Sequence, residues 1–135
     1  MNRTFLITSL VLITFSWYSC RTGIQDHSSK QAGIAFDTSR IDFGEISFSS
    51  EAECEFVFTN SGKDPLLVTH VKSTCGCTIA EWSREPVRSG EKGSIRVNYD
   101  THRVGAFTKS IYVYSNAENG VQRLYITGMV KPSEI

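Results

Sequence analysis

From Gly33 onward the apolar residues recur at every second position, and this periodicity excludes most architectures open to a chain of this size. Cys54, Phe56 and Phe58 alternate with Glu53, Glu55 and Val57; Ile95, Val97 and Tyr99 alternate with Arg96 and Asn98. Ile111 and Val113 alternate with Tyr112 and Tyr114, and Leu124 and Ile126 with Tyr125 and Thr127. Successive side chains of a strand point to opposite faces, so such segments make strands with one buried face. No stretch carries the 3.6-residue period of an amphipathic helix. Turn-forming clusters separate the segments: Asn60-Ser61-Gly62-Lys63-Asp64-Pro65, Ser89-Gly90-Glu91-Lys92-Gly93 and Asn116-Ala117-Glu118-Asn119-Gly120. Short strands at this spacing predict an all-β antiparallel β-sandwich of seven to eight strands.

The expected strands are 34–37, 40–46, 52–59, 65–73, 77–82, 93–100, 106–115 and 121–130. The expected inward set is Phe43, Ile46, Cys54, Phe56, Phe58, Leu66, Val68, Ile95, Val97, Tyr99, Ile111, Val113, Leu124 and Ile126. At about 1.5–3 kcal/mol of gross burial per side chain, this set supplies the driving force a small domain needs without a disulfide. For the last hairpin, a four-residue loop at 117–120 pairs Val113 with Leu124 and Ile111 with Ile126. On the opposite face it sets Tyr112 beside Tyr125 and Tyr114 beside Arg123. Tyrosines stacked with a guanidinium on an outward face form a candidate partner surface, Tyr112, Tyr114, Arg123 and Tyr125. Ordinary cross-strand pairing on a solvated sheet is the alternative.

The N-terminal segment is of another kind. Arg3 precedes an uncharged apolar run from Phe5 to Trp17, and Ser19-Cys20 follows. That order describes a secretory signal, and thirteen residues are too few for a membrane-spanning helix of about 20. The segment resembles the leaders of bacterial lipoproteins, which implies cleavage after residue 19 and lipidation of Cys20. An ordinary signal peptide with an incidental cysteine and an uncleaved anchor are the alternatives. The organisation expected is a signal peptide at 1–19, lipidated Cys20 with a polar tether through residue 32, a sandwich over 33–131 and a tail at 132–135. His27 falls in the tether. The expected location is the bacterial cell envelope, with the lipid in a membrane and the domain on its periplasmic side or at the cell surface.

The 135 residues carry 14 basic and 14 acidic side chains. Removing the leader with Arg3 leaves 13 basic and 14 acidic, a net charge of −1. A nucleic-acid partner is not expected, because phosphate neutralisation needs a basic excess. An apolar fraction of 40% argues against disorder.

Ordered motifs then point to a family. Ile41-Asp42-Phe43-Gly44-Glu45-Ile46, Phe56-Val57-Phe58-Thr59-Asn60-Ser61-Gly62 and Asp64-Pro65-Leu66 come first. Ser73-Thr74-Cys75-Gly76-Cys77-Thr78, Trp82, Pro86-Val87, Gly90-Glu91-Lys92-Gly93 and Tyr99-Asp100-Thr101 follow. Gly105-Ala106-Phe107-Thr108-Lys109, Ser115-Asn116 and Ile126-Thr127-Gly128 complete the series. Over about residues 34–131 the chain resembles the bacterial domain of unknown function 1573 family. The resemblance implies an immunoglobulin-like sandwich in exported proteins, related to domains of cytoskeletal and ciliary proteins, and no established activity. Ser89 stands where the family usually has proline, and Cys54 is outside its pattern.

Four cysteines are present. Cys75-Gly76-Cys77 fits three readings: a sharp corner allowed by Gly76, a redox-active small-ring disulfide, or a soft-metal site for Cu(I). His70, on the strand leading into the motif, and His102 are the added ligands such a site would draw on. Cys54 reads as a buried free thiol, with pairing to Cys75 or Cys77 as the alternative. Glu51, Glu53 and Glu55 face outward and discourage edge-to-edge association. No G-x-S-x-G, H-E-x-x-H or phosphate-loop string occurs, and no histidine is placed by sequence pattern to activate a serine. The reading is a membrane-anchored, non-enzymatic envelope lipoprotein without cofactor, acting as a protein-binding or structural module toward another envelope protein. Thiol-redox or copper handling at Cys75-Gly76-Cys77 is the alternative, and glycan binding a third.

Overall fold

In the computed structural model, residues 32–133 are described. The leader, Cys20, the tether up to residue 31 and the last two residues of the tail lie outside them. The described chain holds eight strands, β1 (Ile34–Phe36), β2 (Arg40–Ser47), β3 (Glu53–Asn60), β4 (Val68–Ser73), β5 (Thr78–Trp82), β6 (Lys92–Tyr99), β7 (Gly105–Ser115) and β8 (Gln122–Lys131). They form two four-stranded sheets, ordered β1-β3-β6-β5 and β2-β8-β7-β4. The expected sandwich is present, with one correction: β2 runs parallel to β8, whereas the other pairs are antiparallel. The cause lies in the short link after Phe36, which carries the chain from the edge of the first sheet to the edge of the second. Gly44, at φ 63°, forms the bulge that interrupts β2, and Asp42 Oδ1 accepts its N–H at 2.9 Å.

Alternation places the core as expected for Phe56, Phe58, Leu66, Val68, Ile95, Val97, Tyr99, Ile111, Val113, Leu124 and Ile126, all buried. Phe43, Ile46 and Cys54 are half-buried, packed against that core from its margin. Val71 joins the interior because a bulge between Val68 and His70 inverts the parity of β4. Phe107 and Val130 join it at positions where Lys109 and Gly128 mask the alternation in the sequence. β4 also starts later than expected; Leu66 makes an isolated bridge to Val87 instead.

In each sheet one phenylalanine lies opposite a glycine, Phe58 facing Gly93 and Phe107 facing Gly128. A Cβ on Gly93 would fall 2.5 Å from Phe58 Cζ, and one on Gly128 2.8 Å from Phe107 Cζ. The missing side chains make room for the rings. Tyr99 then stacks on Phe107 between the sheets, at 3.8 Å between centroids and 14° between planes.

The last hairpin corrects the expected register by two residues. Ile111 faces Leu124, Tyr112 faces Arg123, Lys109 faces Ile126 and Ser110 faces Tyr125. The connection is longer than four residues because its own side chains are occupied. Ala117 is buried, and Asn119 bridges Ile34, accepting its N–H at 3.2 Å and donating to its carbonyl at 2.8 Å. A slip of two leaves every side chain on its expected face.

Candidate functional site

Two regions gather the chemistry-bearing residues. The first is at the end of the sandwich where β4 turns into β5. Cys75 and Cys77 are joined there in a disulfide, Cys75 partly buried and Cys77 buried. Both flanks of the ring are pinned. Thr74 N–H donates to the Ser110 carbonyl at 3.0 Å, and Asp100 N–H to the Cys77 carbonyl at 2.8 Å. Thr78 Oγ1 lies 3.7 Å from Cys75 Sγ. A three-residue loop withdraws little entropy from the unfolded chain, so in the chain-entropy model this bond stabilises the fold by only about 1–2 kcal/mol.

Beside the ring opens a groove of about 340 Å³, bordered by Gly76, Cys77, Ile79, Asn98, Tyr99 and the turns at 49–51 and 100–102. Those turns carry an arrangement that sequence inspection missed. Ser49 Oγ lies 3.3 Å from His102 Nε2, and His102 Nδ1 lies 2.8 Å from Asp100 Oδ1. Residues 49 and 102 are distant in the chain, and neither alternation nor motif spacing signals their meeting. Ser49 adopts φ 61°, a left-handed conformation uncommon outside glycine.

The trio has the connectivity of a hydrolytic triad without its surroundings. The Ser49 N–H donates to the Thr101 carbonyl and the Ser50 N–H to the Ser47 carbonyl, so neither amide is free to stabilise an oxyanion. The side chains of His102 and Asp100 are 66% and 42% exposed, leaving the imidazole in water. The arrangement ties two turns together. The His102 N–H and then its ring, both bonded to Asp100, hold that carboxyl below its ordinary value. A depressed acid contributes above its unfolded value and loses the contribution as pH falls through the folded one. The contribution of the Asp100 contact is therefore present at neutral pH and lost in acid, as pH falls through its lowered value.

The second region is the outer face of the β2-β8-β7-β4 sheet. Arg123 lies over both Tyr112 and Tyr125, at 5.3 and 5.0 Å, and Arg40 covers Tyr125 at 5.0 Å. Arg123 also donates to Ser110 Oγ at 3.1 Å. The strand pairing carries the row onward through Lys72, opposite Tyr112, and His70, opposite Tyr114. Among the described residues Arg40, Lys72 and Arg123 make no ion pair. The opposite outer face is acidic, with Glu53, Glu55 and Glu81 grouped around Arg96.

The structure thus gathers Tyr112, Arg123 and Tyr125, with Tyr114 beside His70 along the same face. The tyrosines meet through Arg123 rather than through the pairs expected. His70 is not drawn toward the cysteines. Its ring makes edge and tilted contacts with Trp82 at 6.3 Å and Tyr114 at 5.9 Å. With the disulfide closed, neither Cys75 nor Cys77 is a thiolate available to a metal. No group of three or more His, Cys, Asp or Glu among the described residues is placed to hold an ion.

Cys54 is the free thiol among the described residues, half-buried on β3. Burial, with a smaller contribution from Glu53, pushes its pKa from the ordinary 9.0 up to about 11. A raised value means stability present below the unfolded pKa and lost as pH climbs through the folded one. Between about pH 9 and 11 the melting temperature is expected to fall, and to fall less steeply in Cys54→Ala, where only groups such as the buried Tyr99 phenol, also raised by burial, remain. An alkaline melting profile identical in the two proteins refutes the assignment.

A model for proteins of unknown function, DUF1573, matches residues 34–130. The chain belongs to that family. Among solved structures, the fold is similar to a protein of unknown function from Porphyromonas gingivalis W83, with 14% identity, TM-score 0.65 and 73% of this chain covered. The chain spans only 46% of that protein's length. PapD-like domain 7 of human CEP192 matches at 11% identity and TM-score 0.66, over 78% of this chain and 90% of that one. The CupB2 chaperone of Pseudomonas aeruginosa matches at 12% identity and TM-score 0.53, over 75% and 57% of the respective chains. At these identities the likeness concerns the sandwich alone. No curated protein matches the sequence.

Proposed function

We propose that the domain is a non-catalytic binding module of the bacterial cell envelope, held at a membrane by lipid on Cys20. Its docking surface is the face of Arg40, Lys72, Tyr112, Tyr114, Arg123 and Tyr125, and its partner an envelope protein with a carboxylate-rich surface. The observation that carries this reading is the set of cations lying on aromatic rings without carboxylates to neutralise them. A guanidinium held over a ring keeps its charge and has lost part of its freedom already, so less ordering cost remains on binding. Tyrosine and arginine are also the residue types that concentrate binding energy at interfaces.

Capture from detergent-solubilised envelope, followed by elution with rising salt, tests the surface. The expected result is a protein retained by the full chain, weakened about tenfold by Arg123→Ala/Tyr125→Ala and unaffected by Glu81→Ala. Equal retention by the double variant removes this face from the proposal. Intact mass of the membrane-extracted chain tests the anchor. A species beginning at Cys20 and carrying acyl mass is expected, and native protein still carrying Met1 overturns it.

A further inference from the structure

We infer that the Cys75–Cys77 disulfide is an exchangeable electron acceptor for extended polypeptide segments carrying two thiols. Three features of one place support this, and none belongs to the cationic face. The ring closes only Cys75-Gly76-Cys77 and contributes little as a staple to a sandwich already filled with apolar side chains. Its sulfur-bearing residues differ in access, Cys75 partly buried at the margin of the core and Cys77 fully buried. Thiol–disulfide exchange is attack on one sulfur with expulsion of the other, so access selects Cys75 as the sulfur attacked and Cys77 as the leaving group.

The third feature defines the substrate. β5 starts at Thr78, immediately after the ring, and is an edge strand of its sheet. Ile79 is 65% exposed at the groove beside the ring. An edge strand recruits an extended chain by adding it as a further strand, and an exposed apolar side chain gives that chain a contact. A segment laid along β5 brings its thiol to the level of the disulfide.

The steps balance without another oxidant. A substrate thiolate attacks Cys75 Sγ; the bond to Cys77 breaks, and its electron pair leaves on the Cys77 sulfur, which takes up a proton. The second substrate thiolate attacks the substrate sulfur of this mixed disulfide. Cys75 leaves as a thiolate and is protonated in turn. The substrate ends with one disulfide and the chain with two thiols, a transfer of two electrons. The pinned flanks at Thr74 and Cys77 hold the reduced pair together.

The test uses the oxidised full chain in the Cys54→Ser background and, as probe, a reduced extended peptide with two cysteines and a central valine. Alkylation and peptide mass mapping follow the 75–77 segment. The expected result is stoichiometric oxidation of the peptide, about tenfold faster than by the same concentration of oxidised glutathione. With a single-cysteine form of the peptide, which cannot resolve the intermediate, rapid alkylation is expected to find the mixed disulfide on Cys75 and none on Cys77. Ile79→Asp is expected to slow the peptide while leaving reaction with glutathione unchanged. A ring left intact by the peptide, a rate no greater than that of glutathione, or equal slowing of both reductants by Ile79→Asp overturns the inference. None of these outcomes bears on capture through Arg123 and Tyr125.

Discussion

Replacing Asn60 by aspartate is expected to destabilise the domain by about 3–4 kcal/mol and to lower its melting temperature by about 12–25 °C. Asn60 is 1% exposed, yet its side chain makes four hydrogen bonds. Its Nδ2 donates to the Asp64 carbonyl at 2.8 Å and the Val87 carbonyl at 2.9 Å. Its Oδ1 accepts from Gly62 N at 2.9 Å and from Gly33 N at 3.4 Å. Aspartate preserves shape and both accepted bonds, but loses both donors and sets a buried carboxylate against two carbonyl oxygens. Burial then raises the pKa of the new acid, so the deficit relative to the parent should shrink as pH falls and the carboxyl regains a proton to donate. Urea unfolding at two pH values checks both statements. A loss under about 1 kcal/mol, or one independent of pH, means that the network is not what joins these segments.

The second large effect is expected at the phenylalanine–glycine pairs. Gly93→Ala places a methyl group 2.5 Å from Phe58 Cζ and 2.9 Å from Cε2, and Gly128→Ala one 2.8 and 2.9 Å from ring atoms of Phe107. Neither ring turns aside freely. Phe58 makes an edge contact with Phe36 at 5.5 Å, and Phe107 is stacked on Tyr99. Each substitution is expected to cost about 2–3 kcal/mol through overpacking. The mechanism is checked by combining Gly93→Ala with Phe58→Leu. If the ring is the obstacle, the double variant loses less than the sum of the single losses. Additive losses assign the effect to the β6 backbone instead.

The sandwich was legible because alternation records burial directly, residue by residue, in β3, β6, β7 and β8. It was misleading where geometry interrupts the count: the bulge in β4 hides Val71, and Lys109 and Gly128 hide Phe107 and Val130. The hairpin register escaped for a related reason. Side-chain parity fixes which face a residue takes but is blind to a slip of two, and only the engagement of Ala117 and Asn119 with other strands decides it. The cationic face was visible in outline, since alternation in each strand puts Tyr112, Arg123 and Tyr125 on the same outward face. The participation of Arg40 was not, because nothing in the sequence signals that β2 lies parallel to β8. The meeting of Ser49, His102 and Asp100 likewise depends on two turns converging in space.

The hydrogen bonds around Ala32 and Gly33 reach Glu118 and Ser61, whereas the disulfide sits where β5 begins, beside the turns after Ser47 and Tyr99. The eight residues of β6 separate these two poles, a span of about 26 Å at 3.3 Å per residue. The chain therefore enters the sandwich at the pole opposite the disulfide, so the sulfur-bearing rim lies at the far end of the domain from residue 32.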